Sequence, residues 1–138
     1  QMCIRERVAT QDLTEPYRRH VLSFLQSNLK KLRIVIDASN GMASKWVPAL
    51  FGDLDLEVIP LNFTHDGTFK HDPNPLVEAN LAELKKVVVE KNAHLGVCFD
   101  GDADRLMVVM TPEIPAIKST KLFFEIAEAL QYRKREGD

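Results

Sequence analysis

The chain has 138 residues, 45% hydrophobic and 28% charged, which is enough apolar content to bury a core and fits one globular unit. A net charge of -2 with both signs interspersed offers no basic field for gripping a phosphate backbone, so nucleic acid is not an expected partner. No apolar run approaches the roughly 20 residues a membrane span needs, and the start lacks a signal-peptide pattern, so neither a membrane nor secretion is expected and the chain reads as cytoplasmic. The two cysteines, Cys3 and Cys98, have neither metal-ligand nor disulfide spacing, and Cys98 sits in an apolar run as a small core residue.

Leu13, Tyr17, Val21, Leu22, Leu25 and Leu29 recur at helical spacing and predict an opening amphipathic helix over residues 13–29. The β-branched run Leu32 to Asp37 breaks at Ser39-Asn40-Gly41, which predicts a buried strand turning into a helix from about Met42 to Phe51. Leu54 to Leu61 predicts a second strand, and the stretch from Asn62 to Pro75, with Asp66-Gly67, Asp72-Pro73 and Asn74-Pro75, is rich in turn residues. Leu81, Leu84, Val87 and Val88 place a helix between Ala79 and Lys91. Leu95 to Phe99 and Leu106 to Met110 predict two further strands, joined by too few residues for a parallel crossover and so antiparallel. A last helix is expected from Ile117 to Arg133, its inner stripe formed by Leu122, Ile126, Ala129 and Leu130. Helices alternating with uninterrupted apolar strands make the class α/β, with a central sheet covered on both faces.

The chemistry concentrates in Asp100-Gly101-Asp102-Ala103-Asp104-Arg105, at the carboxyl end of a strand, where open α/β sheets place their ligand sites. Carboxylates at alternate positions of a tight loop converge, and three of them repel one another unless a cation sits among them. A hard divalent ion such as Mg²⁺ or Ca²⁺ suits all-oxygen ligation; the plain alternative is a solvated acidic turn. An EF-hand is excluded because its sixth and twelfth positions would be Arg105 and Thr111 instead of Gly and Glu. His65 and His71 are six residues apart in a turn-rich loop and do not have zinc-ligand spacing. Ser39-Asn40-Gly41 reads as an ordinary strand-to-helix turn.

Asp100-Gly101-Asp102-Ala103-Asp104-Arg105 resembles the D-G-D-x-D-R metal loop of the α-D-phosphohexomutases of the phosphomannomutase/phosphoglucomutase type. Ile34 to Met42 is similar to the first strand and turn of their second domain. Asp66-Gly67-Thr68-Phe69 with His71-Asp72-Pro73-Asn74-Pro75 is similar to its central loop. Lys70, where the family often carries Pro, and Met110, near where it often carries Asp, depart from the pattern, and residues 111–119 match poorly.

The resemblance implies a three-layer α/β/α sandwich on a mixed four-stranded sheet, order 2-1-3-4, the last strand antiparallel. It implies that Asp100, Asp102 and Asp104 ligate Mg²⁺ while another domain supplies a phosphoserine as a further ligand. The ion would polarise a phosphoryl group moving between the enzyme and a hexose phosphate, glucose or mannose, with Arg105 facing the phosphate. A structural ion pair between Arg105 and the neighbouring aspartates is the competing reading. The whole of 1–138 then reads as one domain, core about 13–135, cut from a longer multidomain enzyme, a reading that Gln1 at the start also suits. The chain contains no serine loop, sugar-selecting loop or phosphate-clamping segment of that family, so the isolated domain is expected to be inactive and the remaining domains are its expected partners. A stand-alone metal-binding or interaction module derived from such a domain is the alternative.

Overall fold

The computed structural model describes residues 9–25 and 32–110. Helix α1 (Thr14–Leu22) is followed by strand β1 (Leu32–Asp37), helix α2 (Ala43–Phe51) and strand β2 (Leu56–Leu61). A single 3-10 turn (Glu78–Leu81) then leads into helix α3 (Ala82–Glu90), strand β3 (Leu95–Phe99) and strand β4 (Leu106–Val109). The expected helix over 117–133 and the divergent stretch 111–119 lie outside the described residues.

The sheet runs β2-β1-β3-β4, with β1 parallel to both β2 and β3 and β4 antiparallel to β3. This is the expected mixed sheet of order 2-1-3-4. Successive side chains of a strand point to opposite faces, so β1 feeds two cores. Leu32, Ile34 and Ile36 pack with Ala43 and Val47 of α2, whereas Val35 packs with Leu81, Leu84 and Val88 on the α3 side. The two apolar faces of one strand thus account for the three layers. Gly96 lets α3 approach closely: a Cβ there would lie 2.7 Å from a methyl of Val88 and 2.9 Å from Leu84 Cδ1. Pro60 lies in β2, an edge of this sheet, where a missing N–H is tolerated.

The first helix is shorter than its apolar spacing suggests. It ends at Leu22, and the Ser23 hydroxyl donates to the His20 carbonyl, competing for a group that helix continuation would use. Residues 26–29 of the expected helix lie outside the described residues. Tyr17 meets Trp46 edge-on, seating α1 on α2. Among the described residues, no helix is long and apolar enough to cross a membrane.

Candidate metal centre

Strand β3 is apolar up to Phe99, and its next residue, Asp100, is buried with only 1% of its surface exposed. A buried carboxylate needs hydrogen-bond donors and a counter-charge, and Arg105 provides both. The Arg105 amide donates to Asp100 Oδ1 at 3.2 Å and its Nε donates to Oδ2 at 2.7 Å. In return the Asp100 amide donates to the Arg105 carbonyl at 3.1 Å, closing the loop at its neck. Ala103 takes the left-handed conformation, φ 65°, which curls the chain between Asp102 and Asp104. One carboxylate oxygen from each of Asp100, Asp102 and Asp104 can be chosen so that all three lie within 4.8 Å of one another. Asp102 and Asp104 are exposed, so the cluster opens from a buried base to solvent.

The electrostatics of the loop are uneven. Burial pushes the Asp100 carboxyl up, but the Arg105 amide, a hydrogen bond with Asp104 and the Arg105 guanidinium outweigh it, and the net shift is downward. Asp104 moves the other way, raised first by its hydrogen bond with Asp100 and then by the charge of Asp102. The Asp100–Asp104 contact drives the two apart, and so does the arginine. Its Nε also reaches Asp104 Oδ1 at 3.4 Å, so the ion pair anticipated as one reading of Arg105 is formed.

Around this loop lies a polar network that local spacing does not reveal. Asp37, fully buried at the end of β1, accepts from the Ser39 amide at 2.8 Å and from Asn62 Nδ2 at 3.0 Å, and meets His71 Nε2 at 3.2 Å. His71 Nδ1 faces the Asp72 carbonyl at 2.9 Å, so both ring nitrogens face oxygen atoms that can accept. Asn40 joins the same layer: its amide donates to the Asn62 carbonyl, its Nδ2 to the Thr64 carbonyl, and its Oδ1 accepts from the Lys70 amide. The stretch 62–75 is therefore tied to the end of β1. Its Pro73 reaches the acidic loop, 3.7 Å from where a Cβ on Gly101 would stand. A signal for this network was present in Asp37, a carboxylate directly after the apolar run Ile34-Val35-Ile36, but its partners stand 25 and 34 residues away.

A family model for the phosphoglucomutase/phosphomannomutase alpha/beta/alpha domain II matches residues 15–112. The chain belongs to that family, as its domain II. This domain II is similar to a probable phosphoglucosamine mutase of Methanothermobacter thermautotrophicus, 40% identical over 103 residues, covering 74% of this chain and 22% of that protein. It is similar to a phosphomannomutase/phosphoglucomutase of Pseudomonas putida, 38% identical over 104 residues, covering 75% and 22%. A phosphoglucosamine mutase of Caldicellulosiruptor bescii is 34% identical over 130 residues, covering 94% and 28%. Among solved structures, a phosphoglucomutase/phosphomannomutase family protein from Burkholderia thailandensis superposes with a TM-score of 0.66 at 33% identity, over 72% of this chain and 22% of that one. The chain spans about a quarter of the length of the curated relatives it matches. The names of those relatives divide between glucosamine, mannose and glucose mutases.

Proposed function

We propose that this domain II supplies the metal site of a cytoplasmic phosphohexomutase, holding Mg²⁺ on Asp100, Asp102 and Asp104 at an active site completed by other domains. The observation that carries the reading is the convergence of three carboxylate oxygens within 4.8 Å at the carboxyl end of β3. Three anionic oxygens opening to solvent suit a hard divalent cation whose remaining positions are taken by water or by a phosphate. Bound there, Mg²⁺ supplies Lewis-acid stabilisation of the charge on a phosphoryl group in transfer. The chain's own part is to hold the carboxylates together. Asp100 is the fixed member, buried and pinned by Arg105, and Asp102 and Asp104 are the exposed members that would hold the ion with it.

Arg105 is proposed to face the phosphate. Among the described residues only its Nε takes a carboxylate, and its side chain is 57% exposed, so the terminal nitrogens are free to meet an anion. The substrate is proposed to be a hexose 1-phosphate or 6-phosphate of the mannose or glucose series, interconverted through a phosphoserine enzyme. The phosphoserine, the sugar-binding loop and the phosphate-binding loop are assigned to the remaining domains of a longer chain, which fits the quarter-length coverage of the relatives.

Two measurements test this. Titration with Mn²⁺ is expected to broaden the amide signals of residues 100–105 first. Asp102→Asn, which keeps the shape and removes one charge, is expected to weaken binding by about tenfold or more. Affinity is expected to fall as the pH drops, because protons compete for carboxylates and Asp104, raised by Asp100 and Asp102, takes one up before Asp100 does. Broadening elsewhere, or equal affinity of the variant, overturns the metal assignment. In the second measurement the 138 residues alone, given glucose 1-phosphate, its bisphosphate activator and Mg²⁺, are expected to show no turnover. Activity above background would contradict a divided active site.

A further inference from the structure

We infer that the turn from Ser39 to Met42, between β1 and α2, is the positioning element of the metal loop, with Ser39 and Gly41 setting the backbone on either side of Asp100. The inference rests on the metal reading for its functional meaning and on independent geometry for its structural content. Ser39 and Asn40 both adopt left-handed backbone, φ 46° and 55°, although neither is glycine. Two such residues in succession are held only where the surroundings over-determine them, and such conformations gather at sites where geometry matters. Both are buried, and the network of Asp37 and Asn62 holds them.

This turn reaches the metal loop through three contacts. The Ser39 hydroxyl donates to the carbonyl of Phe99, the residue before Asp100, at 2.6 Å. The Met42 amide donates to the carbonyl of Gly101, the residue after it, at 2.9 Å. Between them, Gly41 lies so close that a Cβ would stand 2.4 Å from the Gly101 carbonyl oxygen and 2.8 Å from its Cα. That overlap is with backbone, so only movement of the loop or the turn could relieve it. Asp100 is thus gripped at its preceding and following carbonyls, and its own amide is held by Arg105. A Cβ on Gly101 would stand in ordinary contact with Pro73, 3.7 Å away, so the stretch 62–75 also borders the loop. None of these turn residues is placed on the substrate or the ion; they act through Asp100.

Gly41→Ala and Ser39→Ala are the variants, with Met42→Ala as the control that keeps the backbone donor. In the metal-free 138-residue chain, Gly41→Ala is expected to shift the amide signals of residues 100–105 and leave those of Leu84 and Val88 in place. Its Mn²⁺ affinity is expected to fall about tenfold or more, as for other outer supports of a metal site. Ser39→Ala is expected to show the same pattern more weakly, and Met42→Ala to match the wild type. Should Gly41→Ala not fold, Ser39→Ala decides alone. Unchanged loop signals together with unchanged affinity in the folded variants overturn the inference. If the wild type itself binds no Mn²⁺, the metal reading fails, and the metal-free loop signals still decide whether this turn positions the loop.

Discussion

Replacing His71 with Ala is expected to destabilise the protein by about 3 kcal/mol, lowering its melting temperature by about 10 °C. The reason lies in Asp37, whose side chain is fully buried and which, among the described residues, meets one ionisable partner, His71, itself only 16% exposed. Removing the imidazole leaves this interior carboxylate, among the described residues, with two donors, the Ser39 amide and Asn62. Lys70 and Glu83 lie near this corner but pair with each other. The cost should therefore depend on the charge of residue 37. In an Asp37→Asn background, the same His71→Ala change is expected to cost about 1 kcal/mol, the worth of an ordinary hydrogen bond. Chemical denaturation of the four proteins of this cycle measures the coupling. Equal costs in both backgrounds would show that His71 acts by packing and not as a counter-ion.

Leu84→Ala is expected to cost about 3 to 4 kcal/mol, the largest loss from any single core truncation on the α3 side. Leu84 is completely buried and clusters with Val35, Val88 and Cys98, and its methyl lies against the flat backbone of Gly96. That backbone cannot move in to refill the space, because Gly96 is bonded into the sheet between β1 and β4. A cavity remains and its volume sets the penalty. Leu84→Met, which conserves volume, is expected to cost under about 1.5 kcal/mol. Val89→Ala on the same helix, at an exposed position, is expected to stay within about 0.5 kcal/mol. Urea melts of the three variants check the ordering, and a Leu84→Ala cost no larger than that of Val89→Ala would contradict the packing described.

The parts of the fold that could be read in advance are those written in short apolar runs. The strands at 32–37 and 95–99 have the limits their sequences predict, because each run is apolar but for Arg33 and is bounded by polar residues, the first closing on Asp37. The antiparallel pairing of β3 and β4 follows from a connection of six residues, Asp100 to Arg105, too short for anything else. The order of the remaining strands came from family resemblance, since parallel neighbours leave no local mark. The start of α3 differed: Glu78 to Leu81 form a 3-10 turn, a distinction that apolar spacing cannot make over four residues.

At the site, the aspartates were legible because one hexapeptide carries all of them. Carboxylates crowded together push one another's pKa up, yet Asp100 is lowered, because Arg105 folds back onto it across five residues. The Asp37 and Asn40 networks were not legible, because each joins segments that meet only once β1 stands between β2 and β3. Ser39-Asn40-Gly41 reads locally as a plain turn. Its proximity to Gly101 is a property of the assembled sheet.

The two kinds of contact around Asp100 also differ in when folding can form them. The bond from Arg105 spans five residues and can close as soon as the β3–β4 hairpin bends, on the microsecond scale of short loops and hairpins. The bond from Ser39 to the Phe99 carbonyl spans 60 residues and requires a parallel strand pairing with its crossover. Closure of that span carries the larger entropic cost and comes later. A nascent hairpin can therefore gather its acidic residues around Arg105 before any brace exists, and the loop takes its final shape only with the central strand in place. In this domain the capacity proposed for the loop, to hold a cation in a defined geometry, would be a product of the last steps of assembly, not of the motif that names it.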